Sequence, residues 1–452
     1  MDAVSAEGTV VVIGSGAAGT AAARTLAGGG WNVTVIERDR VGGTCLWRGC
    51  MPKKALYNAA RARRNAERAE MFGLKESNEF DWQEVLAWKW HAQETYAGDQ
   101  EAGFADRGIG LLKGEARFVA PDAVEVDGER ITFDHAVIAT GSTSVMPPVD
   151  GIELADTSDD ALGYPEPPRS LLVVGGGFIG VELGTVYASF GTEVSIVTGA
   201  DRLLEMLDED VAAVAIRRLE RMGVHIRTSC KLGELCGSSG AVTATYSDGS
   251  GAAHTATHER VLVATGRVPA VRGLDLAAAG VDTDERGHPV LDTSLRTSNE
   301  RIRMAGDAAG GLMQTPVANY MGRTVAGSIV SGSPAIVDAS LIPTCLFTTP
   351  QIAQVGLTEA AAAAVGIAVD VTRLPFDFLG AAVIEDERDG LIKLVFAEED
   401  GRLLGAHIAG PTASDLIYAM AVAMRCGATR DTLRETVGIH PAYCEAVNWA
   451  AG

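Results

Sequence analysis

Thr9-Val10-Val11-Val12-Ile13-Gly14-Ser15-Gly16-Ala17-Ala18-Gly19 decides the fold of this chain. Its first five residues are an unbroken apolar run, the pattern of a strand covered on both faces of a parallel sheet. A G-x-G-x-x-G turn follows at once, then an Ala-rich stretch that predicts a helix to about Ala27. Residues 31–36 predict a second strand, which ends on Glu37. Strand, glycine turn, helix, strand and acid in this order make the dinucleotide fingerprint in the context it needs. Gly14 makes the tight turn, Gly16 lets the backbone approach a pyrophosphate, and Gly19 allows close packing of helix on strand. The helix N-terminus favours phosphate charge, and Glu37 can accept from ribose hydroxyls.

The pattern then recurs. Ser170-Leu171-Leu172-Val173-Val174 leads into Gly175-Gly176-Gly177-Phe178-Ile179-Gly180, a helical stretch and the run Glu193-Val194-Ser195-Ile196-Val197. A second echo pairs the apolar run ending in Ala139-Thr140-Gly141 with the one ending in Ala264-Thr265-Gly266. Two units with one internal order read as a duplicated architecture. Between the first fingerprint and the first Ala-Thr-Gly lies a helical region, roughly 52–105, in which Trp82, Trp88, Trp90 and Tyr96 are expected to pack. The proline-rich passage 147–168 marks a boundary. Residues 302–310 predict a strand ending in Gly-Asp, where Asp307 can hold a polyol or cap a helix. After Pro334 the texture changes to strands such as 391–396 mixed with helices at 414–426 and 431–436. The expected fold is α/β, with two Rossmann-like dinucleotide-binding domains and a C-terminal α+β domain. Its boundaries are 1–148, 149–268, 269–334 and 335–452, the first and third segments forming one domain.

The length of 452 residues suits about three domains with their own cores. A formal charge of -21 argues against nucleic acid or an anionic membrane as partner. No apolar run reaches the ~18 residues of a membrane span, and residues 1–8 carry no basic n-region, so no signal peptide is read. Seven scattered cysteines do not form a secreted disulfide framework, which points to the cytoplasm, and no metal site is read.

Gly42-Gly43-Thr44-Cys45-Leu46-Trp47-Arg48-Gly49-Cys50-Met51-Pro52-Lys53-Lys54 places two cysteines five positions apart. A helix carrying both needs some unwinding before their sulfurs can meet, and the glycines give that freedom. A disulfide closing so small a loop adds little stability, so a redox role is weighed against two separate buried thiols. Near the end, His440-Pro441-Ala442-Tyr443-Cys444-Glu445 sets an imidazole and a carboxylate across a proline turn. The carboxylate can orient the ring and stabilise its protonated form; the alternative is a packing histidine.

Together and in this order, these pieces resemble the flavoprotein disulfide reductases, among them glutathione reductase, dihydrolipoamide dehydrogenase, mycothione reductase and mercuric reductase. The resemblance covers essentially the whole chain. It implies FAD held by Gly14, Ser15, Gly16, Ala17, Gly19, Glu37, Arg38, Thr44, Cys45, Ala116, Ala139, Thr140, Gly141, Asp307, Gln314 and Thr315. It implies a nicotinamide dinucleotide at Gly175, Gly177, Phe178, Ile179, Gly180, Thr198, Arg202 and Gly266, with Phe178 where some relatives carry a Tyr gate. Cys45 becomes the interchange thiol and Cys50 the charge-transfer thiol. Lys53 or Lys54 lies near the flavin, paired with Glu182. His440 and Glu445 serve the other subunit of a homodimer as acid/base and its orienter. Asp307 holds the ribityl chain, and Thr315 lies near the ring.

The resemblance is finer in places. Arg24 and Arg323 match positions that bind substrate carboxylates in glutathione reductases, but the Tyr of the glutathione pocket has no counterpart near Gln100. No two-Cys tail of the mercuric or thioredoxin reductase kind is present, so those readings are set aside. Cys444 is either buried structure or a substrate contact. At the nucleotide-selecting position Thr198 replaces the acid found at Glu37, which removes repulsion of a 2′-phosphate and favours NADPH, with NADH possible. Of the basic residues expected for NADPH only Arg202 remains. The expected activity is NAD(P)H-dependent reduction of a small disulfide. The alternatives are a dihydrolipoamide dehydrogenase, a flavin-based oxidase or quinone or metal reductase, and a redox sensor with vestigial sites.

Overall fold

The computed structural model describes residues 7–75, 79–334 and 336–452, Asp99 by its backbone. The reading of no signal peptide falls largely on residues 1–6, outside the described residues, as does Ala335 at the last expected boundary. The chain forms two compact units, one of residues 1–55, 86–145 and 267–339, the other of 56–85, 146–266 and 340–452.

In the first unit β1 (Thr9–Ile13) lies between β2 (Asn32–Glu37) and the strand His135–Ile138, all parallel. Gly110–Lys113 and Ile302–Met304 extend the sheet at its two edges. The register sets Ile13 opposite Ile36 on one side and Ile138 on the other. Such strands are covered on both faces, which is why they read as unbroken apolar runs. Val11, Ile13, Ile36, Ile138, Ile302 and Met304 share a core with Phe118 and Val124 of a small antiparallel sheet. Helix α1 (Ala17–Gly28) packs on the helix Thr315–Ser331 so closely that a Cβ on Gly322 would lie 2.2 Å from the Ala18 carbonyl oxygen.

The second unit repeats the scheme. Arg260–Val263, Ser170–Val174, Glu193–Val197 and His225–Arg227 form a parallel sheet in that order, and an antiparallel sheet of three strands accompanies it. Each Ala-Thr-Gly strand thus borders its own fingerprint strand, as a duplication requires. The C-terminal part is an antiparallel sheet of Thr344–Leu346, Gln351–Gly356, Leu403–Gly410, Leu391–Ala397 and Val369–Pro375. Helices Ala413–Arg425, Arg430–Glu435 and Glu445–Ala451 accompany this sheet, and its core includes Phe376, Phe396, Ile417, Leu433 and Tyr443. The expected α/β class with an α+β C-terminal part is the fold observed.

One packing expectation fails. Helix α4 (Trp82–Ala105) buries a stripe that includes Trp82, Lys89, Gln93 and Phe104, at helical spacing. Trp88, Trp90 and Tyr96 lie off that stripe and are 58%, 44% and 53% exposed in the single chain.

Candidate active site

The two glycine turns are shaped for a diphosphate. At the first, a Cβ on Gly14 would lie 2.4 Å from the Ala139 carbonyl oxygen, and one on Gly19 would lie 1.9 Å from that of Gly14. The side of Gly16 is open, with no atom within 4 Å of such a Cβ. Gly16 caps α1 without any side-chain hydrogen bond, so the first-turn N–H groups face an open cradle. Glu37 is fixed at the end of β2: one oxygen accepts from Ser15 N (2.9 Å) and Ser15 Oγ (2.6 Å), the other from Asp39 N (2.8 Å). Nearby in sequence to Ala139, the Thr140 hydroxyl is buried without a partner. These residues fit an ADP-type group of the FAD class. Asp307 accepts from Ser142 Oγ (2.6 Å), and Arg267 Nε donates to that same hydroxyl (2.7 Å). Arg38 pairs with Glu115 at the surface, and Ala116 is buried.

The second turn repeats the geometry. A Cβ on Gly175 would lie 2.2 Å from the Ala264 carbonyl oxygen, one on Gly180 2.3 Å from that of Gly175, and Gly177 meets nothing closer than 3.8 Å. Gly177 caps the helix Phe178–Ser189, with Phe178 and Ile179 half-buried in its first turn. Thr198 is buried just beyond the strand Glu193–Val197.

Arg202 is turned onto its own loop. Its Nη1 donates to the carbonyls of Leu203 (3.2 Å) and Leu204 (2.8 Å), its Nη2 to those of Glu205 (3.2 Å) and Leu207 (2.8 Å). Leu204 N in turn donates to Gly176 O (2.8 Å). The guanidinium is a clamp on its own loop.

The cysteine segment is folded against the first turn. Gly42 and Gly43 have φ of 106° and 59°, and a Cβ on Gly43 would lie 2.8 Å from Gly16 Cα. Cys45 sits in the five-residue helix α2 (Gly43–Trp47), and Cys50 opens α3 (Cys50–Glu67). The break at Arg48 and Gly49 supplies the unwinding that a five-residue spacing needs. Both cysteines are free thiols. Cys50 Sγ lies 3.1 Å from Thr315 Oγ1, at the start of the helix that Gln314 caps. The Cys50 sulfur, as hydrogen-bond partner, and burial push the Cys45 thiol up, so Cys45 stays protonated near neutrality and needs a base to act. Lys53 and Lys54 are both half-buried in the first turn of α3, and their exposure does not separate them.

Sequence reasoning missed Gln93. Its Nε2 donates to the carbonyls of Leu46 (2.8 Å) and Trp47 (3.1 Å) and so pins the end of α2 beside Cys45. The signal was there: an amide on the apolar stripe of α4.

In the second unit His440 Nδ1 lies 2.9 Å from Glu445 Oε1, and Glu445 Oε2 accepts from Ala442 N (3.1 Å). These two bonds hold the Glu445 carboxyl below its ordinary range. The imidazole side chain is 73% exposed and available to a reacting group. Cys444 is half-buried, with its thiol toward Ile439 O (3.8 Å). Glu182 is buried and accepts from Phe347 N (2.7 Å). Arg24 and Arg323 are exposed on the paired helices of the first unit.

Residues 8–322 match the family model described as pyridine nucleotide-disulphide oxidoreductase, and residues 342–451 match its dimerisation domain. The chain is 35% identical to the dihydrolipoyl dehydrogenase of Halobacterium salinarum, over 98% of this chain and 95% of that protein. It is 34% identical to a mercuric reductase of Bacillus cereus, over 97% of this chain and 70% of that one. Its relatives thus include a mercuric reductase beside dihydrolipoyl dehydrogenases, and none of those named here is a glutathione reductase. The HOCl-induced flavoprotein disulfide reductase RclA from Escherichia coli superposes with a TM-score of 0.88 at 28% identity, covering 98% of this chain and 99% of that one. By sequence and fold the chain belongs to the pyridine nucleotide-disulphide oxidoreductases, enzymes that use FAD with a nicotinamide dinucleotide and pair as homodimers through the C-terminal domain.

Proposed function

We propose that this enzyme exchanges two electrons between NADH and a small disulfide through Cys45 and Cys50, with His440 of the partner subunit as acid/base. The observation that carries this is the dithiol folded onto the Gly16 cradle with Thr315 at the Cys50 sulfur. FAD, when bound, supplies two-electron passage between nicotinamide and thiol pair. The chain's own residues do the sulfur chemistry. Deprotonated by the imidazole, Cys45 attacks one substrate sulfur; the S–S bond breaks, and the leaving thiolate takes that proton back. Cys50 then displaces at the Cys45 sulfur, closing the protein disulfide. The second thiol departs with the proton that Cys50 gave up. Glu445 holds the ring in the required tautomer, with Nδ1 toward the carboxylate. The scattered, unbridged cysteines support a reducing compartment, which we take to be the cytoplasm.

The choice of NADH revises the NADPH expectation, which rested on Thr198 and Arg202. Arg202 is held by four carbonyls, and the carboxylates of Asp201 and Glu205 belong to the same loop. Arg202→Met should therefore loosen the loop and raise KM for NADH and NADPH alike, by about 5-fold for loss of charge-assisted bonds of ~1–3 kcal/mol each, partly compensated by water. A loss confined to NADPH would instead make Arg202 a phosphate ligand.

A second reading, NAD-dependent oxidation of a dihydrolipoyl dithiol, runs the same residues in reverse. The Arg202 clamp and the likeness to dihydrolipoyl dehydrogenases favour it. One panel decides: lipoamide, glutathione disulfide and other small disulfides against NADH and NADPH, with dihydrolipoamide against NAD, all read by nicotinamide absorbance. Turnover with no disulfide at all would overturn the proposal.

A further inference from the structure

The loop that carries His440 is exposed, and between Leu433 and Glu445 the only buried side chain is Tyr443. Its ring packs on Phe376 with centroids 5.6 Å apart, and its hydroxyl donates to Glu385 Oε2 (3.1 Å). Glu385 ends the short helix Gly380–Ile384. At the other end of that helix, a Cβ on Gly380 would lie 3.7 Å from His440 Cε1 and 3.6 Å from Pro441 Cβ, ordinary van der Waals distances, so the start of the helix lies beside the imidazole. One short helix thus lies beside the His440 ring at its start and bonds Tyr443 at its finish.

That finish is itself clamped. Arg68 Nη2 donates to the carbonyls of Glu385 (2.5 Å) and Asp386 (3.0 Å), and Arg68 Nη1 to Glu387 Oε1 (2.5 Å). Arg64 meets the Glu387 carboxylate bidentately, at 2.7 and 2.9 Å. Paired forks of this kind fix orientation as well as distance. These groups are mostly buried, so solvent screens them little.

We propose that Tyr443 and Glu385 are positioning residues for His440: their hydrogen bond, set by the Arg64–Arg68–Glu387 clamp, fixes the imidazole that Glu445 alone would leave free to swing with its loop. The inference rests on the reading of His440 as acid/base. Neither residue touches substrate. The Tyr443 phenol is pushed up by burial and by Glu385, so it remains a donor throughout the working range.

The test uses the FAD-loaded dimer and separates the two half-reactions. Tyr443→Phe and Glu385→Ala should lower kcat for lipoamide reduction about 10-fold, since small misplacement of a catalytic group has large effects. Flavin reduction by NADH, followed by stopped flow, should keep its wild-type rate in both, because it does not use the imidazole. Glu385→Gln retains an acceptor oxygen and should recover at least half the lost rate, which a general loss of stability would not reproduce. Wild-type lipoamide turnover in Tyr443→Phe, or equal losses in both half-reactions, would overturn the inference. His440→Gln is the control: full turnover in that variant would overturn the acid/base reading itself and this inference with it.

Discussion

At the scale of the residue, the two cysteines differ by environment. Cys45 is half-buried and keeps its proton because the Cys50 sulfur stands beside it, whereas Cys50 is exposed; the Thr315 hydroxyl meets both sulfurs. Under the proposed function Cys45 is the nucleophile and Cys50 its partner. Replacing Cys45 by Ser leaves a hydroxyl that no imidazole can activate to thiolate-like reactivity. Disulfide turnover should fall by about 10³-fold or more, the scale for loss of a nucleophile, while bound FAD is still bleached by NADH. The measurement is stopped-flow absorbance beside steady-state turnover. Full turnover in this variant would sink the role given to Cys45. Such roles were legible only in part. The spacing of Cys45, Cys50, His440 and Glu445 is local and visible in the sequence. The Arg202 clamp was not legible, because an Arg beside a nucleotide-selecting position looks the same whether it faces ligand or its own carbonyls.

At the scale of the element, what the sequence disclosed is what local sterics demand. Gly14, Gly19 and Gly43 each stand where a Cβ would strike backbone, so the chain has to write glycine there and the fold can be read back. The sequence shows Gln93 as an amide on the apolar stripe of α4, but its target Leu46 lies 47 positions away, a separation over which a single sequence names no partner. Trp88, Trp90 and Tyr96 were misplaced for a different reason: residue type was weighed above helical phase, and the phase of Trp82, Lys89 and Gln93 already turns them outward. The Gln93 contact has a measurable consequence. Gln93→Ala removes the donor on two carbonyls at the end of α2 and leaves them buried beside a small void. We expect a loss of about 1–3 kcal/mol in urea denaturation. Turnover should fall several-fold as the Cys45 helix loosens, whereas Gln93→Asn, with a shorter amide, should lie between. Unchanged stability and rate in Gln93→Ala would show that α2 holds itself.

At the scale of the whole molecule, the second unit joins its nucleotide half to its C-terminal half through a buried charge cluster. Lys393 on the strand Leu391–Ala397 meets Asp208 (2.9 Å), Asp210 (2.7 Å) and Glu359 (2.9 Å), and its side chain is 3% exposed. Asp208 also caps the helix Glu209–Arg221 through Asp210 N, and Arg373 adds a second cation at Asp210 (2.9 Å). Burial alone would lower the Lys393 ammonium, but the three carboxylates outweigh it and hold it above its usual range. For Asp210 burial pulls upward and the bonds to Lys393 and Arg373 prevail, so it sits below the usual carboxylate range; Glu359 is lowered chiefly by Lys393. The signs give a window. The depressed carboxylates contribute stability above about pH 4, lost as pH falls through their lowered values; the raised ammonium contributes below about pH 10, lost as pH rises through its raised value. Stability should be flat between these limits as far as this cluster is concerned. Lys393→Met leaves Asp208 buried without its cation and should cost about 3–5 kcal/mol at pH 7. Adding Asp208→Asn keeps a helix cap and removes the stranded charge, so the double variant should recover at least half of that loss. Urea midpoints of the three proteins at pH 7 and pH 3.5 check both claims. Below pH 4 the gap between wild type and Lys393→Met should narrow, because the carboxylates that Lys393 serves are then being neutralised. A gap that persists unchanged at pH 3.5 would mean that Lys393 contributes by packing and not by charge.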